Sequence, residues 1–210
     1  MRKQQREAIL ALLEETYMGT ETALNYSTPF ELLVAVIMSA QCTDERVNKI
    51  TARIFPKYNT PEKMGALSQE QLEEEIRDCG LFRSKAKNLL ATCKILTEEY
   101  NSVIPDTVEE LMKLPGVGKK TANVVASIVY KVPAIAVDTH VFRVSHRLGL
   151  AKGDDPLAVE KELQKAIPKN KWSDAHHWLI WHGRKICKAR NPLCSECVLV
   201  ELCPYKEKNL

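Results

Sequence analysis

The sequence predicts an all-α protein of two helical lobes and roughly ten helices, on three observations. Helix start signals recur along the chain, apolar positions behind them repeat at three and four, and strand candidates are nearly absent. Thr28-Pro29-Phe30-Glu31, Ser68-Gln69-Glu70-Gln71 and Thr107-Val108-Glu109-Glu110 each set a hydroxyl three residues ahead of a Glu or Gln. At that spacing the cap and the third residue can satisfy each other's unpaired N–H groups. Asp155-Pro156 opens a further helix, with proline at the first helical position, where its missing N–H costs nothing.

Leu111/Leu114 and Val124/Ile128 carry the helical apolar spacing. Residues 31 to 40 are apolar almost all round, which describes a central helix with no solvent face. Residues 133 to 137, PAIAV, look extended but have no partner to pair with, so they read as a linker.

With 210 residues, 45% of them hydrophobic and 27% charged, the chain can bury the core of one large domain or two small ones. Its longest apolar run, Leu32 to Met38, falls far short of the ~20 residues that cross a bilayer. The basic start Met1-Arg2-Lys3 leads into a stretch broken by Glu14 and Glu15, unlike the core of a signal peptide. A cytoplasmic protein with no membrane partner is expected, nucleoid-associated in a bacterium.

The formal net charge of +3 hides an uneven distribution. Glu62, Glu70, Glu73, Glu74, Glu75 and Asp78 face only Lys63 and Arg77 in one stretch. Lys113, Lys119, Lys120, Lys131, Arg143, Arg147 and Lys152 face only Asp138 in another. Charge runs are often plain solvated helix faces, but this asymmetry also fits one surface that repels polyanions and another that attracts them.

Four of the seven cysteines crowd the C-terminal end as C-x6-C-x2-C-x5-C: Cys187, Cys194, Cys197 and Cys203. In a reducing compartment such crowding favours a metal over disulfides. One close pair flanked by two single cysteines suits an iron–sulfur cluster better than zinc, which more often joins two close pairs; zinc stays open on spacing alone. Cys42, Cys79 and Cys93 read as packed thiols, and the five histidines as packing or phosphate-facing residues.

The stretch LPGVGKKTANVV, residues 114 to 125, holds the ingredients of a phosphate loop at the wrong spacing for a nucleotide. A P-loop needs glycine five residues before Gly118, where this chain has Lys113, and Lys119-Lys120 separates Gly118 from Thr121. The pattern instead describes a short helix, a tight turn and a second helix from about Lys119 to Tyr130. Both glycines allow unusual backbone and close approach, and Val117 can turn inward to pin the turn. Outward N–H groups at Gly116, Gly118 and the start of the second helix then form an anion site suited to a nucleic-acid phosphate.

Taken together, LPGVGKKTA, Asp138 in VDTH, the C-x6-C-x2-C-x5-C run and QCTD at residues 41 to 44 resemble the endonuclease III family of helix-hairpin-helix DNA glycosylases and abasic-site lyases. The likeness runs over essentially the whole chain. It implies a bifunctional enzyme that removes oxidised pyrimidines from duplex DNA in base excision repair. It also implies a 4Fe-4S cluster on Cys187, Cys194, Cys197 and Cys203, and double-stranded DNA with damaged bases or abasic sites as partner. We expect a monomer with a helical barrel at 22–132 ending in the hairpin, and a cluster domain of 1–21 with 133–210, the two bounding a cleft.

The resemblance makes Lys120 the nucleophile and Asp138 its acidic partner. Attack requires an unprotonated amine, which a neighbouring cation and the positive end of a helix favour. Asp138 can offset positive charge on the sugar, and it can equally be the N-cap of the helix that follows. Gln41 and Leu81 match residues that fill the gap left by a rotated-out base; for Leu81 an alternative is a hydrophobic contact at a helix C-terminus. Gly116, Val117, Gly118 and Lys119 are expected to hold DNA through the hairpin, and Lys188 and Arg190 through a basic cluster loop.

Two rivals stand beside this. The adenine-specific branch of the superfamily lacks the nucleophilic lysine and carries an extra C-terminal domain, whereas this sequence has Lys120 and stops shortly after Cys203. A non-catalytic DNA-binding module with structural zinc would use the hairpin for backbone contact only.

Overall fold

The computed structural model describes residues 2–210; Met1, part of the basic start noted above, lies outside the described residues. Among the described residues there are eleven α-helices, two short 3-10 turns and no strand, in agreement with the all-α expectation. In chain order the helices are α1 (Lys3–Tyr17), α2 (Pro29–Met38), α3 (Asp44–Ile54), α4 (Pro61–Gly65), α5 (Gln69–Glu75) and α6 (Phe82–Glu99). They continue with α7 (Val108–Leu111), α8 (Lys119–Tyr130), α9 (Thr139–Arg147), α10 (Pro156–Ala166) and α11 (Trp172–Lys185). The chain divides into two compact units, one of Thr22–Tyr130 and one of the residues up to Glu21 together with Lys131–Leu210. No described helix is long and apolar enough to cross a membrane.

In the middle unit α2 is the central helix, with every residue from Phe30 to Met38 buried. It packs against α3, α6 and α8, while α6 also supports α4 and α5. Its one charged residue, Glu31, is buried because it works as a cap. The Glu31 N–H donates to the Thr28 hydroxyl at 3.1 Å, and its carboxylate accepts the Ser27 N–H at 2.6 Å. The carboxylate thus reaches one residue further back than a capping box requires.

Ser68 and Gln71 make the full reciprocal box, with the Ser68 N–H donating to Gln71 Oε1 at 2.8 Å. Thr107 caps α7 through the Glu110 N–H, but the Glu110 carboxylate accepts from Tyr100 and Lys113 instead of returning to the cap. The face of α8 differs by one position from the apolar pair in the sequence. Ala122, Val125 and Ala126 are fully buried, whereas Val124 and Ile128 are half-buried, because packing on α2 selects the face.

The other unit is built on α11, which packs against α1 and α9, with α10 on α9. Ile9, Leu13, Val141, Val144, Val159, Leu163, Trp178 and Leu179 form the centre of its core. The PAIAV stretch is extended and unpaired, as its lack of a partner strand implied. Ala134, Ile135 and Ala136 are nonetheless buried, and the Ala136 carbonyl accepts from His176 Nδ1 at 2.8 Å. That bond satisfies a backbone group that no sheet is present to satisfy.

Leu33 is wholly buried in the central helix. Its truncation should therefore combine lost transfer energy with a cavity, at a cost of about 2–5 kcal/mol. Denaturant unfolding of Leu33→Ala should show that loss; a change below about 1 kcal/mol would mean that α2 is not the organising helix of its unit.

Candidate functional site

The hairpin is formed by α7, the turn at residues 114 to 118 and α8. The Leu114 carbonyl accepts from the Val117 N–H at 3.1 Å, and Val117 is 6% exposed, so its side chain does pin the turn from within. Gly116 has φ +79°, and a Cβ there would meet Asn88 Nδ2 at 3.0 Å and Asn88 Cβ at 3.1 Å. Both backbone and space thus demand glycine.

Gly118 is different. Its φ is not left-handed and nothing lies within 4 Å of where its Cβ would be, so the conformational freedom expected of it is not used. What its missing side chain leaves is open space, which permits close approach of another backbone. Lys119 and Lys120 follow at once in the first turn of α8, both exposed. The first N–H groups of that turn have no partner within the helix.

Gln41 and Leu81 stand on two neighbouring loops of the same unit. Both are non-glycine residues in the left-handed region, with φ 53° and 58°. Leu81 is the N-cap of α6 and is 57% exposed, so it stands at a helix start and not at a helix C-terminus. A Cβ on Gly80 would lie 2.8 Å from the Gln41 carbonyl oxygen. Gly80 is thus the close approach that brings the two loops together, a role its place in the sequence did not reveal.

In the other unit Asp138 is the N-cap of α9. Its Oδ1 accepts from the His140 and Val141 N–H groups, each at 2.8 Å, so one oxygen performs the capping and the second is not needed for it. Burial, more than any neighbouring charge, holds the adjacent His140 below the usual histidine range.

Cys187, Cys194, Cys197 and Cys203 line one pocket, together with Arg147, His182 and Tyr205. No three His, Cys, Asp or Glu side chains among the described residues converge closely enough for a single ion. Four thiols around one pocket can supply the four thiolates that an iron–sulfur cluster requires. Burial pushes the Cys197 and Cys203 thiols above their ordinary range in the protein alone.

His182 also belongs to this pocket, through contacts distant in sequence. Its Nδ1 is hydrogen-bonded to the Tyr17 hydroxyl at 3.0 Å, and its Nε2 is 3.7 Å from Cys197 Sγ. Burial pushes this histidine down to about 4, so the ring is neutral at neutral pH beside the sulfur. The Tyr17 hydroxyl, also buried, is pushed up to about 12. Cys79 and Cys93 are buried, as their surroundings in the sequence implied, but Cys42 is only half-buried.

Two arginines of α9 hold the loop between the cysteines. Arg147 donates to the Lys188 carbonyl at 2.7 Å and the Ala189 carbonyl at 3.1 Å, and its guanidinium lies 4.7 Å from the Tyr205 ring centre. Arg143 donates to the Cys187 carbonyl at 3.1 Å and the Gly183 carbonyl at 2.9 Å. With the Lys188 and Ala189 carbonyls so engaged, the side chains of Lys188 and Arg190 are exposed on a loop held from α9. Arg147→Met should loosen that loop and weaken binding to any duplex DNA severalfold while visible absorption by the cluster persists. Unchanged affinity in a direct titration would show that the arginine does not position the loop.

A family model for HhH-GPD superfamily base excision DNA repair proteins matches residues 34–169, and one for the iron-sulfur binding domain of endonuclease III matches residues 187–203. Endonuclease III of Rickettsia prowazekii is 50% identical over 98% of this chain and 97% of its own length. Endonuclease III of Escherichia coli K12 is 48% identical over 99% of each. A solved structure of a trapped endonuclease III–DNA covalent intermediate, estranged-adenine complex, is 51% identical, with a TM-score of 0.93 over 97% of this chain and 96% of that one. The cysteine run at the end is thus an iron–sulfur site, not zinc, and the chain belongs to the endonuclease III family within the HhH-GPD superfamily of base excision DNA repair proteins.

Proposed function

We propose that this chain excises oxidised or ring-saturated pyrimidines from duplex DNA and then nicks the strand at the abasic sugar, with Lys120 as nucleophile and Asp138 as its acidic partner. Family membership makes it a DNA glycosylase with abasic-site lyase activity. The observation that carries the assignment is the exposed Lys120 in the first turn of α8, directly behind an anion-ready turn. The relative solved as a trapped covalent intermediate with DNA supports a reaction in which a protein group bonds to the DNA.

The chemistry follows from those groups. Amides of the hairpin hold a phosphate while the target nucleotide leaves the stack, at a cost of a few kcal/mol. The Lys120 amine attacks C1′ as the bond to the base breaks, and the base departs with the bonding electrons and takes up a proton. Asp138 offsets the positive charge that develops on the sugar and relays protons from the ammonium so formed. Ring opening leaves a Schiff base between Nζ and C1′. Loss of a C2′ proton then expels the 3′ phosphate by β-elimination, and hydrolysis of the imine frees the lysine. Both groups belong to one chain, and we take the working enzyme to be a monomer.

Gln41 and Leu81 are assigned to the space vacated by the flipped nucleotide, and Gly116, Val117, Gly118 and Lys119 to the phosphate grip. Cys187, Cys194, Cys197 and Cys203 would hold the 4Fe-4S cluster, which would brace the loop that bears Lys188 and Arg190. Those two side chains are assigned to the DNA backbone.

Asp138→Asn separates the aspartate's two roles, because asparagine caps a helix equally well. The variant should melt with the native protein yet lose base excision on the order of 100-fold; a fall in melting temperature that accounts for all the lost activity would reduce Asp138 to a cap. Lys120→Ala should form no borohydride-trapped adduct on abasic DNA, and an undiminished adduct would remove Lys120 from the role. Replacing both Lys188 and Arg190 with alanine should weaken binding to all sequences and flatten the slope of log affinity against log salt by about 2. An unaltered slope would take the loop off the DNA.

A further inference from the structure

We infer that Lys85 is a positioning residue for base extrusion: its buried ammonium ties together the two loops that carry Gln41 and Leu81. Lys85 is 5% exposed, so it cannot reach DNA itself. Its Nζ donates to the Met38 carbonyl at 2.7 Å, the Ala40 carbonyl at 2.6 Å and Cys79 Sγ at 3.2 Å. An ammonium has three N–H donors, and these three acceptors account for all of them.

The acceptors are informative by position. Ala40 immediately precedes Gln41, and Met38 is the last residue of α2. Cys79 precedes Gly80 and Leu81, and the Lys85 N–H itself donates to the Leu81 carbonyl at 3.1 Å. One side chain therefore holds both loops at points flanking the two residues assigned to the gap. Cys79 adds a second tie, its thiol donating to the Met38 carbonyl at 3.4 Å.

Two physical arguments say that position, not stability, is what this lysine provides. Gln41 and Leu81 are both in left-handed backbone, side by side, and strained residues persist only where their surroundings over-determine them. A lone ammonium among uncharged acceptors is also an expensive way to fill a core, since an apolar side chain of similar volume avoids its desolvation. The carbonyls at the end of α2 offset part of that cost, because the C-terminus of a helix favours a cation.

The proposal rests on the assignment of Gln41 and Leu81 above, and the experiment separates the two. Excision is measured under single turnover on a thymine glycol paired with adenine, and β-elimination on a preformed abasic site in the same duplex. Lys85→Met should lose excision of the paired lesion on the order of tenfold to 100-fold, because the loops no longer offset the cost of unstacking. Its β-elimination should stay within about threefold, since an abasic sugar has no pairing to break. Lys85→Arg, which keeps a cation with several donors, should restore most of the excision.

In a Gln41→Ala/Leu81→Ala background, Lys85→Met should add no further loss. Equal losses on both substrates, or native excision by Lys85→Met, overturn the role, as does a full additional loss in the double-variant background. If the Gln41→Ala/Leu81→Ala protein itself excises the paired lesion normally, the gap-filling assignment fails, whatever Lys85 does. Should Lys85→Met not fold, Lys85→Gln, whose shorter side chain reaches fewer of the acceptors, takes its place under the same criteria.

Discussion

The left-handed turn at Gly116 is the constraint on which the proposed chemistry depends. With φ at +79° and Asn88 packed where a Cβ would be, no other residue lets the chain reverse there between α7 and α8 without strain. That reversal starts α8 at Lys119, so the amides of its first turn and the amine of Lys120 come from consecutive stretches of one backbone. In the proposed chemistry, gripping the phosphate and delivering the nucleophile thus become one act. Intramolecular attack is so sensitive to placement that a shift of about 1 Å can cost 100-fold, which explains why both tasks fall to one turn instead of two loops.

Behind the turn lies α6, and one face of it supports the features of its unit that we propose to face DNA. Leu81 caps its start and Lys85 holds the two strained loops. Asn88 packs under Gly116, and the Thr92 hydroxyl donates to the Pro115 carbonyl at 3.0 Å. These four residues are spaced by three or four, so they share one stripe of the helix. A single rigid element therefore sets the hairpin and the gap-filling residues in a common frame, a condition for a site that must act on an extruded nucleotide. In the other unit α9 has a comparable part: Asp138 begins it, and Arg143 and Arg147 reach from its face to the loop between the cysteines.

What could be read from the sequence was what is local in it. The Ser68 box, the Asp155 cap with Pro156, the hairpin and the cysteine spacing each depend on residues within one turn or one loop, so order along the chain carries the information. Long-range contacts were hidden for the same reason. Lys85 looks like an ordinary helix lysine until its partners from the end of α2 are seen, and Gly80 looks like a terminator until the Gln41 carbonyl is placed beside it. The pairing of Tyr17 with His182 joins the first helix to the eleventh, and nothing near either residue announces it. Where local signals misled, packing was the cause. The apolar pair Val124/Ile128 is turned half outward by the fit of α8 on α2, and Glu31 reaches past its own cap because the chain before α2 folds back.

The proposed reaction turns on which atom of the protein joins the sugar. Reducing the complex with abasic DNA, digesting it and sequencing the modified peptide by mass spectrometry answers that directly. The deoxyribose remnant is predicted on Nζ of Lys120 alone; its presence on Lys119, on another lysine or on the N-terminal amine would contradict the account at its centre.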